Sequence, residues 1–207
     1  MASELVQLIR KERAADFYEE VRQLQESGEE PSLEGETFKN LNLQGFRFVG
    51  VDMTNVEFDG CTFTEVLFEG CILEGTFITG ATMFDCVLLE CTGEGFSMDT
   101  CTVVRSKFQD MNLQGAEWTD TQFNDSVFDR IQLQEPLLER LTIREGTFKS
   151  LKVFGGELTH ITLRDTNGNK NVALSDCEAN HCYIVHDDPA VTIPAGFARK
   201  SGRRRTL

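Results

Sequence analysis

Near the C-terminal end, Cys177-x3-His181-Cys182-x3-His186 spaces two thiols and two imidazoles as a metal site would, and Asp187 and Asp188 follow. Zinc takes such sets, because thiolate and imidazole fill its tetrahedral shell well. The chain holds three histidines in all, His160, His181 and His186. No Ser/His/Asp order, phosphate loop or Gly-rich dinucleotide motif accompanies them. The seven cysteines are Cys61, Cys71, Cys86, Cys91, Cys101, Cys177 and Cys182. A thiol nucleophile among them would need exposure and a neighbouring base. Carboxylates are plentiful: net charge is −14, and ten acids stand between Arg47 and Arg105 without one Lys or Arg.

What these groups can do depends on the elements that position them. From Leu33 to Leu163 every fifth residue is large and apolar, in 26 of 27 cases, with Gly93 the exception. Five fits neither the 3.6 period of a helix nor the 2.0 of a flat strand. It describes a short unit that turns a corner every five residues. Two residues before each centre the chain is mostly small or apolar, as at Leu41, Phe46, Val51, Val56 and Cys61. Two side chains per unit therefore point inward and three outward. Centres twenty apart form columns, one of them Phe48, Phe68, Leu88, Phe108, Phe128, Phe148. Another column, Gly35, Asn55, Gly75, Gly95, Gly115, Glu135, Gly155, predicts a corner with an unusual backbone.

Leu41-Asn42-Leu43-Gln44-Gly45 and Met111-Asn112-Leu113-Gln114-Gly115 resemble the A(D/N)LXX unit of the pentapeptide-repeat family. The resemblance spans residues 31–186 and is specific in period, loose in consensus. It implies an all-β solenoid, a right-handed quadrilateral β-helix with one pentad per side and four per coil. Here that β-helix would carry an N-terminal α-helix. After Leu163 the frame slips by one residue across Thr166-Asn167-Gly168-Asn169-Lys170-Asn171, a bulged corner.

Solenoids need capped ends. Residues 3–25 read as one amphipathic helix, capped by Ser3 and striped by Leu5, Ile9, Phe17, Val21 and Leu24. It is either a lid on the first coil or a dimerisation or partner helix. Ala190–Phe197 reads as a closing strand, and 199–205 as a disordered basic tail. The organisation is thus a cap over 1–30, a β-helix over 31–186, and a closing segment with tail over 187–207.

In the repeat frame all seven cysteines fall at the small inward position, which argues for packing, for no metal and no cofactor. An odd, buried set of thiols suits a reducing compartment, and with no signal-peptide core or membrane span in view the expected location is the cytoplasm. An acidic body is a poor ligand for duplex DNA.

The expected function is a non-catalytic, protein-binding scaffold. The resemblance adds immunity, effector or regulatory roles in bacteria. It also adds an alternative, a DNA mimic that binds and protects DNA gyrase. The acidic column Glu65, Asp85, Arg105, Asp125, Glu145, Asp165 suits that alternative. A third reading is an oligomeric spacer, a homodimer through the N-terminal helix. The candidate partner site is drawn from outward positions that are apolar where polar residues are expected: Leu67, Val87 and Leu89, with Phe84 over Val104 on another side. Glu65, Asp85, Glu69 and Glu90 surround them.

Overall fold

The computed structural model describes residues 3–188 and 190–200. Short parallel strands, most of three residues, stack into four sheets that form the sides of a rod. Each side is named here by its first centre: Leu33, Phe38, Leu43 or Phe48. The registers Phe38–Phe58, Leu43–Phe63 and Phe48–Phe68 fix the twenty-residue coil. The Leu43 side is longest, with nine strands, and the Phe48 side has six. A three-residue strand buries only its middle side chain, which is why one large apolar residue in five is enough.

Inside, Phe48 stacks on Phe68 at 5.0 Å. Leu88 interrupts the ladder, which resumes as Phe108 on Phe128 and Phe128 on Phe148, each at 5.5 Å. The small inward positions have a second task. Cys61 Sγ, Thr76 Oγ1 and Cys101 Sγ donate to the carbonyls of Phe38, Met53 and Ile78, each 23 residues back. These thiols and hydroxyls tie each coil to the one before. Ser106, Thr121 and Ser126 are buried at the same kind of position.

The corners extend the expectation drawn from the glycine column. All four take the left-handed region, and many of the residues there are not glycine: Glu65 (φ 55°), Asp85 (54°), Thr100 (55°) and Arg105 (48°) among them. An L-residue there costs about 1–2 kcal/mol. The corner N–H is held in return: Glu65 donates to the Phe84 carbonyl at 2.9 Å, and Arg105 to that of Asn124 at 2.9 Å.

Where Gly93 replaces an apolar centre, the sequence predicts either a local cavity or a neighbour such as Phe96 filling the space; the structure leaves no room for a cavity at its Cα. A Cβ there would lie 2.6 Å from the Leu73 carbonyl carbon and 2.8 Å from the Glu74 nitrogen. Phe96, the expected filler, is fully buried. The cause is a change of path: the Leu33 side runs as isolated bridges Ser32–Asp52–Ile72–Thr92 and becomes a regular strand only at Thr92–Glu94.

The N-terminal segment is two helices, Glu4–Arg10 and Ala14–Ser27, where one was expected. Glu12, at φ 53°, makes the break. Ser3 caps the first helix, accepting from the Val6 N–H. Phe17 packs on Phe46 and Phe48 at 5.5 and 5.0 Å, so the apolar stripe closes the first coil. The cap also serves backbone groups of that coil's edge. The Asn42 N–H donates to Glu12 Oε1, and Gln25 Nε2 donates to the Val49 carbonyl.

At the other end the one-residue slip is present, since Leu151 pairs with Val172. Gly168 turns the insert at φ 72°, and Asn171 Nδ2 takes the Phe148 carbonyl, ending the Phe48 side. The closing strand is Ala198–Lys200, beside Tyr183–Val185, not Ala190–Phe197. That stretch is loop, and its Val191 and Phe197 pack against the core. Of the expected basic tail, Arg199 and Lys200 belong to the strand, and residues 201–205 lie outside the described residues.

Candidate protein-docking surface

The cysteine and histidine chemistry is not assembled. Cys182 is buried, and its Sγ donates to the Leu158 carbonyl at 3.3 Å. His181 packs at a tilt against His160 of the previous coil, ring centres 4.8 Å apart. His186 Nδ1 accepts from the Asp188 N–H at 3.0 Å. Among the described residues no three potential ligands gather around one point. The seven cysteines are free thiols, and Cys177 alone is part-exposed, because the coil that holds it is only partly covered. Burial pushes the Cys86 and Cys101 thiols up to about 11. Cys71, hydrogen-bonded to Cys91 and buried, is raised as well. Thiols held protonated are poor nucleophiles. An apolar cavity of about 40 Å³ lies between Trp118 and Phe197. It is far below the ~300 Å³ at which ligand pockets begin.

The acids of the corner column are not alike. Arg105 Nε and Nη2 grip Asp85 at 2.8 and 2.7 Å, one coil apart, and hold its carboxyl below the usual range. Arg140 grips Asp120 in the same way at 2.6 Å. Arg130 does so with Asp110, whose carboxyl falls to about 2 through hydrogen bonds from Arg130 and Gln109. Asp85 is therefore an ion-pair partner and not a free acid. Glu65, Asp125, Glu145 and Asp165 make no such pair among the described residues.

The structure sorts the candidate partner residues onto two sides that share this corner. Leu67 and Val87 stand in direct register on the Phe48 side, half-buried, in a row that begins with Arg47 and continues to Lys107. Leu89 follows Glu69 in the neighbouring row, and Gln109 follows it. Glu90 holds the far corner, at φ 55°. The lysine-free and arginine-free block of sequence thus gains two cations from neighbouring coils, which twenty-residue spacing could have revealed. Phe84 over Val104 lies across the corner, on the Leu43 side. Ile72 and Phe77, 46% and 37% exposed, lie on the other two sides.

The chain is thus a four-sided parallel solenoid with half-exposed apolar rows on its sides. The pentapeptide repeat region model matches residues 61–138, and the pentapeptide repeats (8 copies) model matches residues 37–70. The chain belongs to the pentapeptide-repeat family. No curated protein matches it in sequence. Among solved structures it is similar to a trypsin-treated form of QnrB1, a plasmid-mediated fluoroquinolone resistance protein. Identity is 15% over 79% of this chain and 91% of that one, with a TM-score of 0.25. It is also similar to HetL, involved in heterocyst differentiation regulation in the cyanobacterium Nostoc. There identity is 12% over 84% and 98%, with a TM-score of 0.26. At such values neither likeness says what this chain binds. No described helix is long and apolar enough to cross a membrane.

Proposed function

We propose that this chain is a non-catalytic, protein-binding rod of the cytoplasm, with its docking patch on the Phe48 side. The observation that carries the reading is the registered pair Leu67–Val87 with Leu89 beside it. These are half-exposed apolar groups, rimmed by Glu69 and Glu90 and ended by Arg47 and Lys107. Apolar patches rimmed by charge mark protein interfaces. Phe84 and Val104 adjoin the patch across the Glu65 and Asp85 corner. Seven free thiols, six of them buried, fit a reducing compartment.

The test begins with affinity capture and mass spectrometry to identify the partner. Leu89→Glu is then expected to weaken that partner's binding at least tenfold with the melting temperature nearly unchanged. If the variant unfolds, or binds as before, the patch is wrong.

The free acids Glu65, Asp125, Glu145 and Asp165 support gyrase as a second reading. On that reading the protein inhibits or protects gyrase at micromolar concentration or below, and Lys at Glu65, Asp125 and Glu145 abolishes the effect. Unchanged supercoiling and unchanged quinolone-induced cleavage would sink it. The spacer reading has less to stand on, because the helical stripe is used within the chain, with Phe17 and Val21 fully buried.

A further inference from the structure

One side of this acidic rod carries no acid. The chain has 34 Asp and Glu, yet none stands on the nine strands of the Leu43 side. The strands nearer the N-terminus present threonines, Phe84 and Val104 and no charge. Those nearer the C-terminus present Arg144 and Arg164 in direct register. Like charges directly opposite one another destabilise a sheet. Neither arginine belongs to an ion pair among the described residues, in contrast to Arg105, Arg130 and Arg140.

We infer that this side is the interface between two copies of the chain, packed face to face and antiparallel. Gln122–Asn124 is the fifth of its nine strands and the middle of the stack. A two-fold axis along that strand sets the third strand against the seventh and the fourth against the sixth. Phe84 then meets Arg164 of the second copy, a cation over an aromatic face. Val104 meets the aliphatic stem of Arg144. At the shared corner Arg105 meets Glu145, and Asp125 meets its own copy with these groups on either side. Each contact between unlike residues occurs twice, and that of Asp125 with itself, on the axis, occurs once, as an isologous interface requires. A parallel pair would instead gather four arginines in two adjacent coils, which selects against it.

The side is roughly 40 Å long at ~4.8 Å per strand and about 10 Å wide for three residues. On the order of 400 Å² per copy is half a standard interface, the size of weak, reversible encounters, and we place the dimer's Kd at about 10–100 µM. The inference goes beyond the partner reading. It gives Phe84 and Val104 to self-association and leaves Leu67, Val87 and Leu89 open on both copies.

The experiment is sedimentation equilibrium of the full chain from about 1 to 200 µM, a range that brackets such a Kd. A reversible dimer is expected. Val104→Arg, which faces Arg144, should weaken it at least tenfold. Val104→Arg with Arg144→Glu should restore it, because the two new charges meet only across the antiparallel pair. Melting curves confirm that both variants fold. The inference is overturned if the wild type stays monomeric throughout, if Val104→Arg leaves the dimer intact, or if the folded double variant fails to recover it. None of these results bears on the Leu89→Glu test, so the two readings fail separately.

Discussion

Phe108→Ala is expected to cost about 3–5 kcal/mol, the usual penalty for truncating a buried phenylalanine. For a chain of this size that is a fall of roughly 6–20 °C in melting temperature. The ring is fully buried. It stacks on Phe128 at 5.5 Å and meets Phe123 edge-on at 5.6 Å. Below it the ladder has Leu88, not an aromatic, so no ring on that side can shift to fill the space. Solenoid coils contact only their neighbours, so the loss should also divide the rod. A second unfolding step should appear, with coils before Phe108 and coils after it melting apart. Thermal and urea melts of the single variant read both effects. A melting temperature within 2 °C of the wild type, by the same scaling, would mean that the centre column does not carry the core.

Gly93→Leu restores the apolar centre that the repeat lacks, and a consensus argument would have it stabilise. The opposite is expected. The added Cβ alone meets the Leu73 and Glu74 backbone at 2.6–2.8 Å. Backbone cannot rotate away as a side chain can. Overpacking of this kind costs about 1–3 kcal/mol where side chains can adjust, and more where they cannot. Gly93→Ala should show most of the loss, since the conflict begins at Cβ. If Gly93→Leu melts at or above the wild type, the close approach of these two coils is wrong.

The fold was legible because its signal repeats. A five-residue period over 26 centres leaves little freedom in where side chains point, and the columns predicted from it stand in register from Phe38–Phe58 to Ile143–Leu163. Irregular places were not legible. The helix break at Glu12 follows from a left-handed residue in a run of good helix formers, with no glycine to announce it. Gly93 looked like a missing side chain, because a period counts residues and does not see two backbones approach. The inward thiols looked like packing alone. Their hydrogen bonds to carbonyls 23 residues back belong to the coil and to no local motif.

The candidate surface was half legible. Leu67, Val87 and Leu89 stood out as apolar residues in outward positions. What surrounds them is set by residues twenty away, so Arg47, Lys107 and the grip of Arg105 on Asp85 entered only with the register. The acid-free side has the same origin, since no continuous stretch of sequence is free of acids over that length.

The one-residue slip at residues 166–171 is absorbed in a single corner, and the strands beyond it regain their sides. Lengthening by other steps would act differently. Five residues added between Val104 and Arg144 would rotate everything downstream by a quarter turn. Arg144 and Arg164 would then leave the line of Phe84 and Val104, although no side chain had been replaced. Twenty added residues would complete the rotation and only lengthen the rod by about 4.8 Å. The surface pattern is therefore a phase as much as a composition. Insertions and deletions can rewire what this chain presents as sharply as substitutions do, and those in multiples of twenty leave each side in line.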